Sequence, residues 1–317
     1  MQITFSAAFL ERFRLALGDL GVGKNDRIML AVSGGPDSLA MLLLAQAITF
    51  DRIVATTVDH KLRPESADEA AFVGDLCQQI GVRHVTLNPS SQIEGNIQSS
   101  ARAVRYALLE EAADEHECAF IATAHHGDDQ LETMLMRLAR GSGLDGLAAI
   151  RSRYGRVIRP LLGFSKSELE EICIDVGVEP VRDPSNENPD FDRVAMRQWL
   201  TKSPNPFDIA RVNRTAHALS DAAEALAWVV KGLAEQRITE ENAQIQCDAT
   251  HLPRDLQRRL LLRCLSRLEP DLKPRGEAID RLLADLERGK TTTIGNILCQ
   301  GSEAWQFSVA PPRRPAR

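Results

Sequence analysis

The sequence lacks the features that mark secreted, metal-rich and membrane proteins. Its six cysteines are spread singly over 317 residues and form no Cys-x-x-Cys pair, which argues against a zinc ribbon, an iron–sulfur site and a disulfide framework. The longest apolar stretch, residues 39–48, is about half as long as a bilayer span. Glu11, Arg12 and Arg14 interrupt the N-terminal apolar residues, so no signal peptide is predicted. We therefore expect free, buried thiols in a cytoplasmic protein.

The sequence also has few aromatic residues (5%) and no excess of positive charge, since 38 basic and 44 acidic residues give a net charge of −6. This balance excludes a uniformly basic nucleic-acid binder but allows a local basic patch. Residues 1–200 hold 20 basic and 29 acidic residues, whereas residues 201–317 hold 18 and 15. Residues 137–159 contain six arginines and a single acid, Asp145. That stretch is either a solvated surface or a stripe that contacts phosphates, and composition leaves both interpretations open.

Short apolar runs that alternate with helical patterns indicate the fold of the first two thirds of the chain. The runs are separated by apolar or amphipathic segments of ten residues or more, and this order predicts an α/β fold with a doubly wound parallel sheet. Ligands of such sheets bind at the carboxyl ends of the strands. The strand-like runs are at residues 27–32, 53–58, 82–87, 119–123 and 157–158.

After residue 208 the pattern changes to long helices with one strand and turn near residues 291–299. We therefore expect a second, smaller and mainly helical domain. The domain boundaries are predicted at residues 1–203 and 204–310, followed by a disordered tail at residues 311–317.

The strongest chemical signal is a glycine-rich hexapeptide between the first apolar strand and an apolar helix. Two glycines allow a tight turn and a close approach of the backbone to an anion, and the N–H groups at a helix N-terminus bind phosphate. An acid beside phosphates suits a metal ion or the orientation of a nucleophile, which makes Asp37 the candidate metal ligand. The alternative interpretation is a glycine-rich hairpin or a helix cap without a ligand. Such a turn would need the two glycines but not the acid and the serines. The hexapeptide consists of Ser33, Gly34, Gly35, Pro36, Asp37 and Ser38.

A second cluster of ionisable residues follows the fourth strand. His125 and His126 precede two aspartates, one of which would cap the next helix. His125 is a candidate phosphate donor, whereas two adjacent histidines point in different directions, which argues against a zinc site without a third ligand. Asp129 and Glu132 lie three residues apart and share a helix face that could hold an ammonium group or a metal.

Two further patterns have alternative interpretations. Arg102 and Arg105 share one helix face, where they could clamp phosphates or pair with Glu110 or Glu111. Residues 284–291 match a permissive Walker A pattern, but the match follows a helix and has a single glycine. We therefore predict that it caps a helix and binds no phosphate.

The hexapeptide resembles the PP-loop of the ATP pyrophosphatase (adenine nucleotide alpha-hydrolase-like) family, whose members cleave ATP between the alpha and beta phosphates. The whole region of about residues 27–197 is similar to the bacterial tRNA(Ile)-lysidine synthase family, because several independent segments occur in the same order. The later helices resemble that family only weakly. Besides the PP-loop, the matching segments are residues 58–63, 96–105, 125–133, 140–147, 159–162 and 183–186.

This resemblance implies an ATP-dependent ligase that modifies tRNA. ATP would adenylate the C2 carbonyl oxygen of the wobble cytidine in a CAU-anticodon isoleucine tRNA. The side-chain amine of free lysine would then attack C2, release AMP and leave lysidine. Residues 204–310 would recognise the tRNA, with residues 137–159 against its backbone.

The same resemblance assigns roles to the candidate residues. The six PP-loop residues would bind ATP, with Asp37 near Mg²⁺. Arg102 and His125 would contact the nucleotide or its phosphates, and Asp129 and Glu132 would hold or orient the lysine. An amine nucleophile needs acidic partners, and an adenylated oxygen needs cationic stabilisation, so these residue types suit the reaction.

The resemblance has two departures and two rivals. Val181 stands where the family often has an aromatic residue, and the chain lacks the further C-terminal domain of longer members, which would leave tRNA selection to residues 201–317. A PP-loop tRNA 2-thiolation enzyme would share the loop but typically uses cysteine pairs or a cluster. A non-catalytic nucleotide-binding module would keep the glycines without needing Asp37, Asp129 and Glu132 together.

Overall fold

The chain divides into two compact units, residues 1–220 and 221–317. The domain boundary expected after residue 203 remains a prediction. No helix in the described part of the chain combines the length and apolarity needed to cross a membrane. The segment at residues 183–186 and residues 312–317 of the predicted tail lie outside that part. The computed structural model describes residues 6–61, 66–89, 97–181, 192–201 and 206–311.

The first unit is built on a sheet with helices on both faces. Its strands are β1 (Ile28–Ala31), β2 (Ile53–Val58), β3 (Arg83–Leu87), β4 (Phe120–Ala122), β5 (Arg153–Tyr154) and β6 (Val157–Ile158). Its helices are α1 (Ala7–Asp19), α2 (Pro36–Thr49), α3 (Ser66–Gln79), α4 (Ile97–Glu115), α5 (Gly127–Ala139), α6 (Leu144–Leu147), α7 (Lys166–Val176) and α8 (Asp192–Thr201).

Within the described residues the sheet has six strands in the order β3-β2-β1-β4-β6-β5. All neighbours are parallel except β5 and β6, which form a short antiparallel hairpin. This arrangement confirms the predicted doubly wound parallel sheet. The strand order reverses at β1, which pairs with β2 on one side and with β4 on the other. The loops after β1 and β4 therefore frame the crevice in which such sheets bind ligands.

The two faces of the sheet carry separate cores. On one face, Phe13 of α1, Leu42 of α2 and Ile172 of α7 belong to one buried cluster. On the other face, Leu109 of α4 packs with Met29 of β1. Because α1 and α7 both pack against α2, this helix is apolar on nearly all sides and shows no single hydrophobic stripe.

The second unit is reached through α9 (Ile209–Arg237), which begins in the first unit and ends in the second. Its described strands form a five-stranded antiparallel sheet in the order β7-β8-β11-β10-β9. The remaining elements are β7 (Ile238–Glu241), β8 (Gln244–Cys247), α10 (Arg254–Leu268), α11 (Gly276–Glu287), β9 (Thr291–Ile294), β10 (Ile297–Gln300) and β11 (Trp305–Val309).

The expectation of a mainly helical second domain omitted this sheet. The long helices expected near residues 208–236, 253–269 and 275–288 correspond to α9, α10 and α11, whereas the single strand and turn expected at residues 291–299 form two strands, β9 and β10. The missed strands have four or five residues each, too few for an alternation of polar and apolar residues to stand out. The Walker A match proves to be a helix end, as predicted, because α11 stops before Gly289, whose φ is +71°, and Lys290 pairs with Asp285 at 3.2 Å.

Candidate active site

Two loops meet at the carboxyl edge of the first unit's sheet, where β1 and β4 lie side by side. Residues 33–38 follow β1, and residues 123–126 follow β4. A cleft of about 1060 Å³ is lined by residues of both loops. The lining includes most predicted site residues, namely Ser33, Gly35, Pro36, Asp37, Ser38, Arg102, His125 and Asp129, but not Gly34 or Glu132.

Two serines shape the loop after β1. The Ser33 N–H donates to Ser38 Oγ at 3.1 Å, and the Ser38 hydroxyl donates to the Gly35 carbonyl at 3.0 Å. The helix α2 begins at Pro36, whose fixed φ suits a first helical position and which has no N–H to leave unpaired. The positive end of this helix's dipole therefore lies at the loop, as an anion site requires.

Gly34 turns the loop back into the protein. Its φ of +83° lies in the left-handed region that favours glycine. Its carbonyl accepts a hydrogen bond from the Val181 N–H at 2.9 Å, and a Cβ at position 34 would lie 3.4 Å from Val181 Cγ2. Val181 therefore packs directly against the loop. Below it, the Cys173 thiol donates to the Pro36 carbonyl at 3.4 Å, and burial raises the pKa of Cys173 to about 12, which keeps this thiol protonated.

His126 lies behind the cleft at the centre of a carboxylate cluster. Its side chain is 3% exposed, and Nε2 lies 3.6 Å from Asp37 Oδ2 and 3.6 Å from Asp129 Oδ2. Its other nitrogen, Nδ1, lies 3.5 Å from Asp128 Oδ2. Burial alone would lower the pKa of His126, but Asp128, Asp37 and Asp129 together raise it to about 10. The ring is therefore a buried cation with three anionic neighbours.

His125 has the opposite electrostatic character. Burial lowers its pKa to about 3, which the Asp129 carboxylate only partly opposes. The ring is therefore neutral, and Nδ1 lies 3.0 Å from the Thr123 hydroxyl. When that hydroxyl donates to Nδ1, the ring carries its proton on Nε2 and can donate one hydrogen bond to a phosphate oxygen.

Glu132 is held away from the cleft. It is 2% exposed, and Arg197 of α8 pairs with both of its oxygens at 2.7 and 3.1 Å. Arg193 approaches the same carboxylate to 3.7 Å. Arg197 also lies 4.0 Å from Asp129, and both arginines line the cleft. Of the two acids predicted to hold an ammonium group, only Asp129 reaches the cleft in this arrangement.

Arg102 and Arg105 line the cleft together with His60. Both guanidinium groups lie over the ring of Tyr106, at 5.2 and 5.6 Å from its centroid. Glu110, the alternative partner suggested by spacing, pairs with Arg156 instead. Both guanidinium groups therefore add positive charge to this part of the cleft.

The arginine-rich stretch at residues 137–159 divides into parts with different roles. Arg153 donates to the Leu20 carbonyl at 2.9 Å and lies over the Phe120 ring, and Arg156 pairs with Asp114. These two arginines tie elements of the fold together. Three further arginines of this stretch are exposed: Arg137, Arg140 and Arg151.

Sequence reasoning missed three residues of this region: His126, Arg193 and Arg197. In the sequence, His126 is considered only as a zinc ligand and rejected as one. The acids that follow it, Asp128 and Asp129, are a signal that could have marked it as a charged partner. Arg193 and Arg197 lie four residues apart on α8, so they share a face. Their spacing does not reveal that both pair with Glu132, which lies 61 and 65 residues earlier in the chain.

Comparisons with known proteins identify the family. The family model described as a PP-loop domain matches residues 8–204. A tRNA(Ile)-lysidine synthase from Zymomonas mobilis is 42% identical over 94% of this chain and 93% of the relative. Proteins of the same name from Novosphingobium aromaticivorans and a Bradyrhizobium species are 40% and 36% identical, over 92% and 98% of this chain and 92% and 96% of the relatives.

Among solved structures, the U34-tRNA thiolase NcsA from Methanococcus maripaludis has a similar fold. The TM-score is 0.54 with 18% identity, over 67% of this chain and 78% of that chain. At this identity the likeness concerns the fold alone. The matched PP-loop domain and the near full-length relatives together show that the chain belongs to the tRNA(Ile)-lysidine synthase family of PP-loop proteins.

Proposed function

We propose that this chain joins free lysine to C2 of the wobble cytidine of a CAU-anticodon isoleucine tRNA, with conversion of ATP to AMP and pyrophosphate. The observation that carries the proposal is the meeting of two unlike groups in one cleft. An anion-binding loop follows β1, and a carboxylate, Asp129, follows the neighbouring strand β4. Asp37 of the loop and Asp129 lie at the same distance from one His126 nitrogen.

ATP binds with its phosphates at the loop after β1. The N-terminus of α2, the Ser33 hydroxyl and the backbone around Gly35 provide donors for phosphate oxygens. Ser38 also lines the cleft, but its hydroxyl donates to the Gly35 carbonyl and so holds the loop in shape. Arg102 and the neutral His125 ring add contacts from the other walls. Cationic and N–H donors at this point stabilise the negative charge that develops as pyrophosphate leaves.

The residues present fit a Mg²⁺ ion at Asp37. One oxygen of this carboxylate, Oδ1, is buried and accepts no hydrogen bond in the described part of the protein. Mg²⁺ usually takes one or two carboxylates together with substrate phosphates. Among the described residues no group of three His, Cys, Asp or Glu side chains could hold a metal, so the nucleotide would supply the other ligands. Bound there, Mg²⁺ would neutralise phosphate charge.

Asp129 receives the ammonium group of lysine. It lines the cleft, and its Oδ2 already accepts the His126 backbone N–H at 3.2 Å. Its other oxygen lies 4.0 Å from Arg197. Glu132 takes no direct part in this proposal, since Arg197 occupies both of its oxygens; it anchors α8 at the cleft instead.

The reaction then balances in two steps. The cytidine O2 attacks the alpha phosphorus of ATP, so the new O–P bond replaces the bond to pyrophosphate. The neutral lysine Nζ attacks C2, the C2–O2 bond breaks, and O2 leaves on AMP. The lysine nitrogen loses one proton before attack and a second as the C2–O2 bond breaks, and both protons pass to the solvent. Binding lysine and the adenylated base side by side makes the second step effectively unimolecular.

The tRNA partner is proposed to contact the domain at residues 204–310 and the exposed arginines 137, 140 and 151, whose positive charge suits a surface that meets an anionic backbone. These residues would position the anticodon stem, and the cleft would accept the wobble base. Phosphate contacts of this kind fix orientation and carry little sequence information.

A 2-thiolation activity fits the cleft less well. Of the described residues that line it, Cys173 is the one cysteine, and its thiol donates to the Pro36 carbonyl. Burial raises the pKa of Cys173 to about 12, whereas the nucleophilic form of cysteine is the thiolate. The described cysteines are all buried and unpaired.

The proposal is tested with purified protein, ATP, Mg²⁺, labelled lysine and a CAU-anticodon isoleucine tRNA transcript. We expect label on the tRNA and one AMP per label, and none with a transcript whose wobble base is changed from C to G. An Asp37→Ala variant should release no AMP, while Asp51→Ala, at an exposed position outside the cleft lining, should behave as wild type. AMP release without labelled tRNA would contradict the proposal.

A further inference from the structure

His126 is the most conspicuous buried charged group that the proposed reaction leaves without a role. It is absent from the described residues that line the cleft, so it does not touch the substrates. Its ring nevertheless contacts residues of two different elements that do line it, Asp37 of α2 and Asp129 of α5. A side chain in this position acts on the reaction through others.

The two nitrogens of the ring face different partners. Nε2 lies 3.6 Å from both Asp37 Oδ2 and Asp129 Oδ2, whereas Nδ1 lies 3.5 Å from Asp128 Oδ2. Asp128 in turn accepts the Lys166 backbone N–H at 2.7 Å, at the start of α7. The Nδ1 side is thus connected to the scaffold, and the Nε2 side to the two cleft carboxylates.

Asp37 and Asp129 would repel each other without a hydrogen-bond donor between them. A single N–H placed at equal distance from both relieves this repulsion and sets their separation. Asp37 belongs to the nucleotide loop and Asp129 to the proposed amine site, so the ring links the two halves of the reaction.

We propose that His126 is a positioning residue whose Nε2 holds Asp37 and Asp129 in the geometry that brings ATP and lysine together. This inference rests on the proposed function of the cleft. It goes beyond a cap for α5, because a cap would involve the backbone and Asp129 alone. A cap does not explain the contact between His126 Nε2 and Asp37, because Asp37 belongs to α2.

The two nitrogens can be separated by substitution. In His126→Gln the side-chain amide can reach the place of Nε2 and donate to Asp37 and Asp129. In His126→Asn the shorter amide can reach only the place of Nδ1, near Asp128. Both variants lose the ring's bulk and its positive charge, so they form a matched pair that differs in which contact survives.

The kinetic constants of both variants distinguish positioning from folding. We expect His126→Asn to lower kcat for labelled lysine transfer by about 100-fold, the scale of a displacement of about 1 Å, and to raise the KM for lysine. His126→Gln should keep both constants within about fivefold. A purely structural role would lower the Tm in both variants and leave the KM for lysine unchanged.

A control comes from a second buried histidine at the opposite edge of the sheet. His116 is 7% exposed and lies at the end of α4, so His116→Asn should change Tm without changing the kinetic constants. If His126→Asn does not fold, His126→Gln alone decides, since a raised KM for lysine there overturns the inference. Equal kinetics of wild type and His126→Asn overturn it as well. A wild-type protein that makes no lysidine overturns the proposed function instead.

Discussion

The two units of this protein bury different kinds of side chain. Every described polar or charged residue that is buried, including His126, Glu132 and Asn213, belongs to residues 1–220. In the described part of residues 221–317 the buried residues are apolar or cysteine, with Phe307 and Leu283 at its core. All described residues that line the cleft belong to the first unit.

This difference shows where the fold carries chemistry. Burying a polar group is unfavourable unless it is hydrogen-bonded or paired. In the first unit, His126 and Glu132 each lie beside side chains of opposite charge. The second unit has no such requirement and is stabilised by apolar packing. The first unit should therefore lose stability when a pair is broken, and the second when volume is removed.

The largest expected effect is a cavity in the second unit. Phe307→Ala removes a fully buried ring from β11, and such truncations lower the free energy of unfolding by about 3–5 kcal/mol. Urea unfolding followed by tryptophan fluorescence measures it. The ATP dissociation constant, measured by calorimetry, should not change, because the cleft residues lie outside this unit. Weaker ATP binding in this variant would contradict the assignment of nucleotide binding to the first unit alone.

The next effect concerns a buried pair in the first unit. Arg197→Met leaves the Glu132 carboxylate buried, with Arg193 at 3.7 Å as its remaining cationic partner in the described part of the chain. We expect a loss of about 3 kcal/mol of unfolding free energy. Glu132→Gln should cost less, because Arg197 keeps one third of its side-chain surface exposed and can turn to water. Urea titrations of both variants check the order, and the reverse order would contradict the burial argument.

A smaller effect is expected where a helix starts against the backbone. A Cβ on Gly127 would lie 2.1 Å from Ile209 Cγ2 and 3.0 Å from the Phe164 carbonyl oxygen. Gly127→Ala should lower the free energy of unfolding by about 1–3 kcal/mol through overpacking. Gly143→Ala is the matched control, since nothing lies within 4 Å of its Cβ position and its φ is −75°. Equal stabilities of the two variants would count against this packing.

The smallest effect is a dependence on pH confined to the first unit. Burial lowers the pKa of His84, whose Nε2 lies 2.9 Å from the Thr57 hydroxyl. Because the folded pKa lies below the unfolded value, the stabilisation is present above about pH 6.5 and is lost as the pH falls towards the folded pKa. The slope is at most about 1.4 kcal/mol per pH unit. His84→Gln should flatten this acid limb in urea titrations between pH 7 and 5, and an unchanged slope would remove His84 from the argument.

Much of the first unit is predictable because its signals are local. Buried parallel strands read as apolar runs such as residues 28–31, and α7 begins at a Ser165 cap and ends at a left-handed Gly177. Asp37, His125 and Asp129 follow neighbouring strands, and the carboxyl ends of parallel strands share one edge, so their proximity follows from the topology. In the second unit, β8 and β11 are paired by contacts between residues about 60 positions apart, and no local pattern encodes such a pairing.

The pattern of residues 33–38 and 122–133, with the order of strands and helices, determined by itself the α/β class, the anion loop and the family. Only the tertiary structure decided which acids reach the cleft. Asp129 and Glu132 are equivalent in the sequence, but Arg197 packs onto one of them and His126 lies beside the other. The reason is physical: a side chain's charge follows from its type, whereas its partner and its exposure depend on elements that the chain brings together from far apart.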